Sequence, residues 1–228
     1  MAIIEIKNLH KTYNESEIPV KAVNGIDMNI KQGEFTAIVG PSGSGKTTFL
    51  NLLGGLDKPT NGHINIDGQD MSLLKSHQLI DYRLNHIGFV FQAYNLIPVL
   101  TALENVAFIL QLQGVNKKNR NKIATELLKK VGLEDKANKR PGNLSGGQQQ
   151  RVSVARALAS KPKFILADEP TANLDSKSTN ELLDLMLQMN NELNTTFIFS
   201  THDQRVMDKA RRIITIEDGT ITRDITKN

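Results

Sequence analysis

Hydrophobic and polar positions alternate through the first thirty residues. Ile4 and Ile6 stand in one run, and Val20, Val23, Ile26, Met28 and Ile30 in a second. Period-two spacing of this kind predicts half-buried strands. Tyr13-Asn14-Glu15-Ser16 between them reads as a turn. Phe35-Thr36-Ala37-Ile38-Val39 is nearly all apolar, the mark of a strand buried on both faces. It runs into a glycine-rich turn and then a helix from near Lys46, packing through Phe49, Leu50, Leu52 and Leu53. Further strands are predicted at His63 to Asp67, closed by the turn pair Asp67-Gly68, and at Ile87 to Phe91.

From about Ala93 to Ser160 the period becomes helical. One helix is predicted near Leu103 to Leu112 and a second from about Asn119 to Val131, with Gly132 placed to close it. A third begins after Ser145, a good N-cap, and carries Val152, Ala155 and Leu158 on one side. Strand patterns return at Phe164 to Ala167 and at Thr196 to Phe199, separated by a helix with Leu182, Met186, Met189 and Leu193. A helix follows Asp203. The chain then closes on Ile213 to Ile216, the turn Asp218-Gly219, and Thr220-Ile221, a hairpin signal. Strands alternating with helices predict an α/β fold with a mostly parallel sheet. The expected division is a core of residues 1–92 and 161–228, with 93–160 as a helical insertion.

Composition narrows the function classes. There is no cysteine, which excludes disulfides, thiolate nucleophiles and Cys-ligated zinc. The charge balance, 28 basic against 24 acidic residues, gives +4, too little to imply nucleic-acid binding. The longest apolar run, Val106 to Leu110, falls far short of the roughly 20 residues that span a bilayer. Met1 to Lys7 has no basic start followed by a long apolar stretch, so no secretory signal is expected and the chain is expected to stay in the cytoplasm.

Gly40-Pro41-Ser42-Gly43-Ser44-Gly45-Lys46-Thr47 matches G-x-x-x-x-G-K-[ST] and sits between a predicted strand and a predicted helix, the context this phosphate-binding loop requires. Glycines let backbone N–H groups point inward at phosphate oxygens, and the helix start adds partial positive charge. Lys46 would reach the terminal phosphates, Thr47 would join a Mg²⁺ shell, and Thr48 follows in the nucleotide-binding set. In Phe164-Ile165-Leu166-Ala167-Asp168-Glu169 an apolar strand ends in acids. Asp168 can hold Mg²⁺ through water, and Glu169 can polarise an attacking water. Alone, the pair is also what two solvated acids at a strand end look like; the loop upstream favours the functional reading.

Leu144-Ser145-Gly146-Gly147-Gln148 offers a second anion-friendly helix start. With this pentapeptide the chain resembles the ATPase subunits of ABC transporters, over nearly its whole length and in the family's motif order. The resemblance implies an α/β P-loop NTPase: a RecA-like core, an N-terminal antiparallel β subdomain and an inserted α-helical subdomain. It also implies ATP hydrolysis with Mg²⁺, and a head-to-tail homodimer formed on ATP. Ser145 and Gly147 of one copy would then meet the γ-phosphate held by the other. Within that pattern Gln92 would touch Mg²⁺ or the attacking water, His202 the γ-phosphate, and Tyr13 the adenine ring. Asp175 would be a loop acid bridging the subunits. Asp168 and Glu169 keep the roles given above.

Several stretches look narrower than the family: Gly54 to Thr60, Gly88 to Gln92, Leu100 to Val106 and Ala167 to Asp175 resemble the MacB- and LolD-like branch. That branch implies a separate integral-membrane permease as partner, and a place on the cytoplasmic face of the membrane. The process would be lipoprotein release, efflux or mechanotransmission. The cell-division ATPase FtsE is a near relative of the same pattern and stays open, as does, further off, a soluble non-transport ABC ATPase. A small-molecule kinase would leave Leu144 to Gln148 and His202 unexplained. The basic stretches at Lys117 to Lys122, Lys129-Lys130 and Lys136 to Arg140 read first as solvated helix faces, second as contacts to headgroups or an acidic permease surface.

Overall fold

The computed structural model describes residues 2–14 and 18–227. β1 (Ala2–Tyr13) and β2 (Val20–Lys31) pair antiparallel, β3 (Phe35–Val39) enters the core, and α1 (Lys46–Leu53) follows the glycine-rich loop. β4 (Asn61–Ile66) and β5 (Gln69–Asp70) complete a sheet in the order β2-β1-β4-β5. α2 (Ser76–His86) leads into β6 (Ile87–Phe91), and then come α3 (Ala102–Leu112), α4 (Lys117–Lys130) and α5 (Gly146–Ala159). β7 (Phe164–Asp168), α6 (Ser176–Leu193), β8 (Thr196–Ser200), α7 (Gln204–Lys209), β9 (Arg212–Glu217) and β10 (Thr220–Thr226) close the chain.

The second sheet runs β10-β9-β3-β8-β7-β6, parallel from β9 to β6, with β10 returning as an antiparallel hairpin. Period-two alternation sorts its side chains. Ile38, Phe164, Leu166 and Ile198 face the cluster holding Ile4, Ile6, Phe49 and Leu52, which joins the antiparallel sheet to α1. Phe35, Ala37, Ile165, Ala167, Phe197 and Phe199 face α5 and α6 through Val154, Leu158, Leu182 and Met186. The opposite side of α5 packs Val152, Ala155 and Ala159 against Val106 and Leu110 of α3 and Leu128 of α4. With apolar residues on both sides, α5 carries the helical block on the core sheet.

The α/β reading and the parallel sheet agree with this architecture. α2 was not expected: its sequence buries only Leu79, too little for a periodic signal, so tertiary packing makes it. α4 starts two residues before the predicted point because Asn116 caps it, accepting from Asn119 N–H. In the predicted turn at Tyr13 to Ser16, Glu15 and Ser16 lie outside the described residues.

Candidate functional site

Parallel register sets Phe91, Asp168 and Ser200 side by side at the carboxyl edge of the sheet. One residue further on stand Gln92, Glu169 and Thr201, and Thr201 N–H bonds Ile38 C=O where β3 feeds the loop. In open α/β sheets this edge is where ligands bind. A cleft of about 1,100 Å³ lies there, its wall including Tyr13, Gly40 to Gly43, Gly45 to Thr48, Gln92, Glu169 and His202.

The loop shape is forced by its neighbours. A Cβ on Gly40 would stand 2.0 Å from Ile216 C=O, and one on Gly45 2.0 Å from Ala22 C=O, both at positive φ. Only glycine fits. Lys46 Nζ donates to the Gly40 and Pro41 carbonyls at 2.9 and 2.8 Å. Two of its three N–H groups thus hold the loop closed, leaving one for the cleft. α1 has neither a side-chain cap nor an acid in its first turn. Its leading N–H groups and positive dipole end are therefore left for an anion. Among the described residues the buried hydroxyl of Ser200, in the cleft wall, has no partner, as suits a group beside a ligand with many acceptor oxygens; Ser44 of the loop is buried and lies outside that wall.

Thr47 Oγ1 donates to Asp168 Oδ1 at 3.1 Å, bringing together two of the three expected Mg²⁺ ligands. Among the described residues no group of three or more His, Cys, Asp or Glu is arranged to hold a metal. One hydroxyl and one carboxylate beside a phosphate cradle fit Mg²⁺, which keeps waters and takes few protein ligands. Gln92 lines the same cleft, its backbone C=O accepting from Asn173 Nδ2 at 3.1 Å.

Glu169 has φ 46° and its N–H bonds Ser200 C=O at 2.9 Å. A left-handed glutamate is a sparsely populated conformation kept where surroundings over-determine it. Its carboxylate is engaged on both oxygens, by His202 Nδ1 at 2.8 Å and by Thr201 Oγ1 at 3.4 Å. An ionised carboxylate only accepts, so His202 Nδ1 carries the hydrogen in that contact.

Ser145, Gly147 and Asp175 are not in this cleft's wall. Ser145 closes the start of α5 in a capping box, accepting from Gln148 N–H while its own N–H donates to Gln148 Oε1 at 3.0 Å. Gly147 lies against α6, where a Cβ would meet Ser178 at 3.1 Å. Asp175 caps α6, its carboxyl held below the usual carboxylate value by the Ser178 hydroxyl and then the Ser178 N–H.

The sequence reading overlooked Gln150. It is fully buried on α5 and donates to Pro170 C=O at 2.7 Å and Phe91 C=O at 3.2 Å, fastening the helix of the Ser145 motif to the strand ends that carry Gln92 and Glu169. A polar residue among the buried positions of a helix is the only signal for it, and the adjoining glutamines Gln148 and Gln149 mask that signal. Ala22, Asn24 and the Asp218-Gly219 turn also line the cleft, brought there by folding and marked by no motif.

Residues 23–172 match the model described as ABC transporter. The chain belongs to the ABC transporter family, and membership makes it an ATP-hydrolysing cassette. It is 42% identical to the lipoprotein-releasing system ATP-binding protein LolD of Legionella pneumophila, with 96% of each chain covered. It is 47% identical to the macrolide export ATP-binding/permease protein MacB of Mannheimia succiniciproducens, along its whole length but spanning only 35% of that protein. The solved cassette MJ0796 of Methanocaldococcus jannaschii, described as a dimeric post-hydrolysis state bound to ADP and Pi, superposes with TM-score 0.90 at 45% identity, covering 99% of both chains.

Proposed function

We propose that this cassette binds ATP with Mg²⁺ in the described cleft and works as a homodimer driving a separate membrane permease of the MacB- and LolD-like kind, from the cytoplasmic face. The observation that carries the reading is the open N-terminus of α1, ringed by Lys46, Thr47 with Asp168, and Glu169 with His202. The loop N–H groups and Lys46 bind the triphosphate. Thr47, Asp168 and Gln92 would hold Mg²⁺, which would supply charge neutralisation at the phosphate oxygens. Glu169, fixed by His202 and Thr201, orients and polarises the water in line with the γ-phosphate. Tyr13 takes the base, and Asp175 lies near the copy-to-copy contact.

Because Ser145 and Gly147 lie outside the cleft of their own chain, a second copy is the arrangement that lets them reach phosphates. An apolar groove of about 430 Å³, with Ile80, Leu84, Phe89 and Phe108 in its wall, supports the permease partner. Phe91 lines that groove while its neighbour Gln92 lines the cleft, so the end of β6 joins both sites. Among the described residues no helix is long and apolar enough to cross a membrane.

The test uses the absence of native cysteine. Ser42→Cys and Ser145→Cys are placed together in a Glu169→Gln background and treated with a short thiol-to-thiol linker. ATP, but not ADP, should give a covalent dimer on a denaturing gel. Monomer mass only, with both thiols bridged inside one chain, overturns the shared site.

A further inference from the structure

Tyr13 ends β1 and is 38% exposed in the cleft wall. Left alone, such a ring would rotate freely, and ordering it on ligand binding would cost entropy. It is not left alone. Its hydroxyl donates to Asp57 Oδ2 at 2.7 Å. Lys11, two residues back and therefore on the same strand face, places its ammonium 4.7 Å from the ring centroid. The same ammonium donates to Asp57 Oδ1 at 2.7 Å and to Lys58 C=O at 2.8 Å. Neither Lys11 nor Asp57 belongs to the cleft wall; the cation sits over the ring and the carboxylate tethers its tip.

Asp57 is itself anchored. Its N–H bonds Asn51 C=O of α1, and the segment after it is pinned to β1 by Thr60 N–H on His10 C=O and by Thr12 N–H on Thr60 Oγ1. The Tyr13 platform therefore hangs on the far end of the helix whose near end holds phosphate. Burial, with the neighbouring carboxylate, pushes the Tyr13 phenol up against the opposing pull of the Thr48 hydroxyl. Burial pushes Asp57 up as well, but Lys11, Tyr13 and the Lys58 N–H outweigh it and hold the carboxyl below its ordinary value.

We propose that Lys11 and Asp57 are positioning residues for base recognition: they clamp the Tyr13 ring so that it presents one fixed face to the base of the bound nucleotide. The inference rests on the cleft being the ATP site and adds the pair that makes its base wall rigid. Neither residue lines the cleft beside the phosphate loop, so the pair would act on the base half of the ligand alone.

The test compares affinities of the full chain for ATP and for inorganic triphosphate, which has no base, by titration calorimetry. The parent should prefer ATP. Asp57→Ala and Lys11→Met should weaken ATP by about three- to tenfold, the scale of part of a base–aromatic stack, with triphosphate affinity unchanged. GTP should weaken along with ATP, because stacking tolerates either base. Lys11→Arg should restore the ATP preference, and Tyr13→Phe, which keeps the ring and loses the tether, should show a partial loss. If ATP and triphosphate weaken together, or ATP is unaffected, the clamp is only a tie in the fold and the proposal is overturned. Should Asp57→Ala fail to fold, Lys11→Met and Tyr13→Phe decide the matter. A parent that binds neither ligand instead defeats the reading of the cleft itself.

Discussion

Two helix starts in this chain carry glycine-rich signatures, and they are finished in opposite ways. α1 begins at Lys46 with no side-chain cap and no acid in its first turn, its entry residue Gly45 at φ 100°. α5 begins after Ser145, which closes it with a reciprocal capping box through Gln148. Both place a dipole end near small residues, so pattern alone makes them look equivalent. One leaves its leading N–H groups without a side-chain cap, and the other satisfies its Gln148 N–H from within through Ser145. α1 opens into a cleft lined by its own chain, whereas the start of α5 lies outside that cleft's wall.

The strongest way to break this contrast is to separate binding from chemistry at the open end. Glu169→Gln should lower turnover by about 10²–10⁴-fold, the range for a general base, while ATP binding measured by calorimetry stays near parental. Parental turnover would remove Glu169 from its role. Lys46→Ala should instead lower ATP affinity itself, on the order of a hundredfold. Unchanged affinity would show that the α1 end is not where phosphate sits.

A sharper test sets an acid at the open end. Thr48→Asp should raise the thermal midpoint without nucleotide, since it supplies the charge that α1 lacks, yet weaken ATP by about tenfold. Effects of the same sign on both would defeat the idea of a start left open for an anion. Ser145→Ala provides the counterpart at the closed end. It should cost about 1 kcal/mol without nucleotide, a shift of about 2–4 °C in midpoint, and leave monomer nucleotide affinity untouched.

The smallest expected effect is acid sensitivity at a third start. Asp175 caps α6 and its carboxyl is held below its ordinary 3.8 by Ser178. A depressed folded pKa gives stability that is present in full above about pH 4 and is lost as pH falls through the folded value. α1 has no such acid to protonate. Asp175→Asn should therefore reduce the drop in thermal midpoint between about pH 6 and pH 3, and an unaltered drop would show that the cap does not couple to folding.

The sequence by itself determined the kind of fold and most of the chemistry. Near-continuous apolar runs such as Phe35 to Val39 and Phe164 to Ala167 can be buried on both faces only in a sheet covered on both sides. Gly40 to Thr47 needs no tertiary knowledge to be read as a phosphate loop, because its function lies in backbone freedom within one turn. The cap at Ser145 was legible too, because it acts within one turn. What the tertiary structure alone decided are contacts across long stretches of chain. α2 exists because Leu79 and Tyr82 find the core cluster, not because its own pattern is helical. Gln150 matters because folding brings Phe91 and Pro170 to it. Asp57 reaches Tyr13 across 44 residues, and Glu169 receives His202 across 33. Local spacing records which side chains share a face of one element. It carries no record of which carboxylate on another element will hold them still, because register and packing between elements settle that only when the hydrophobic faces close on one another.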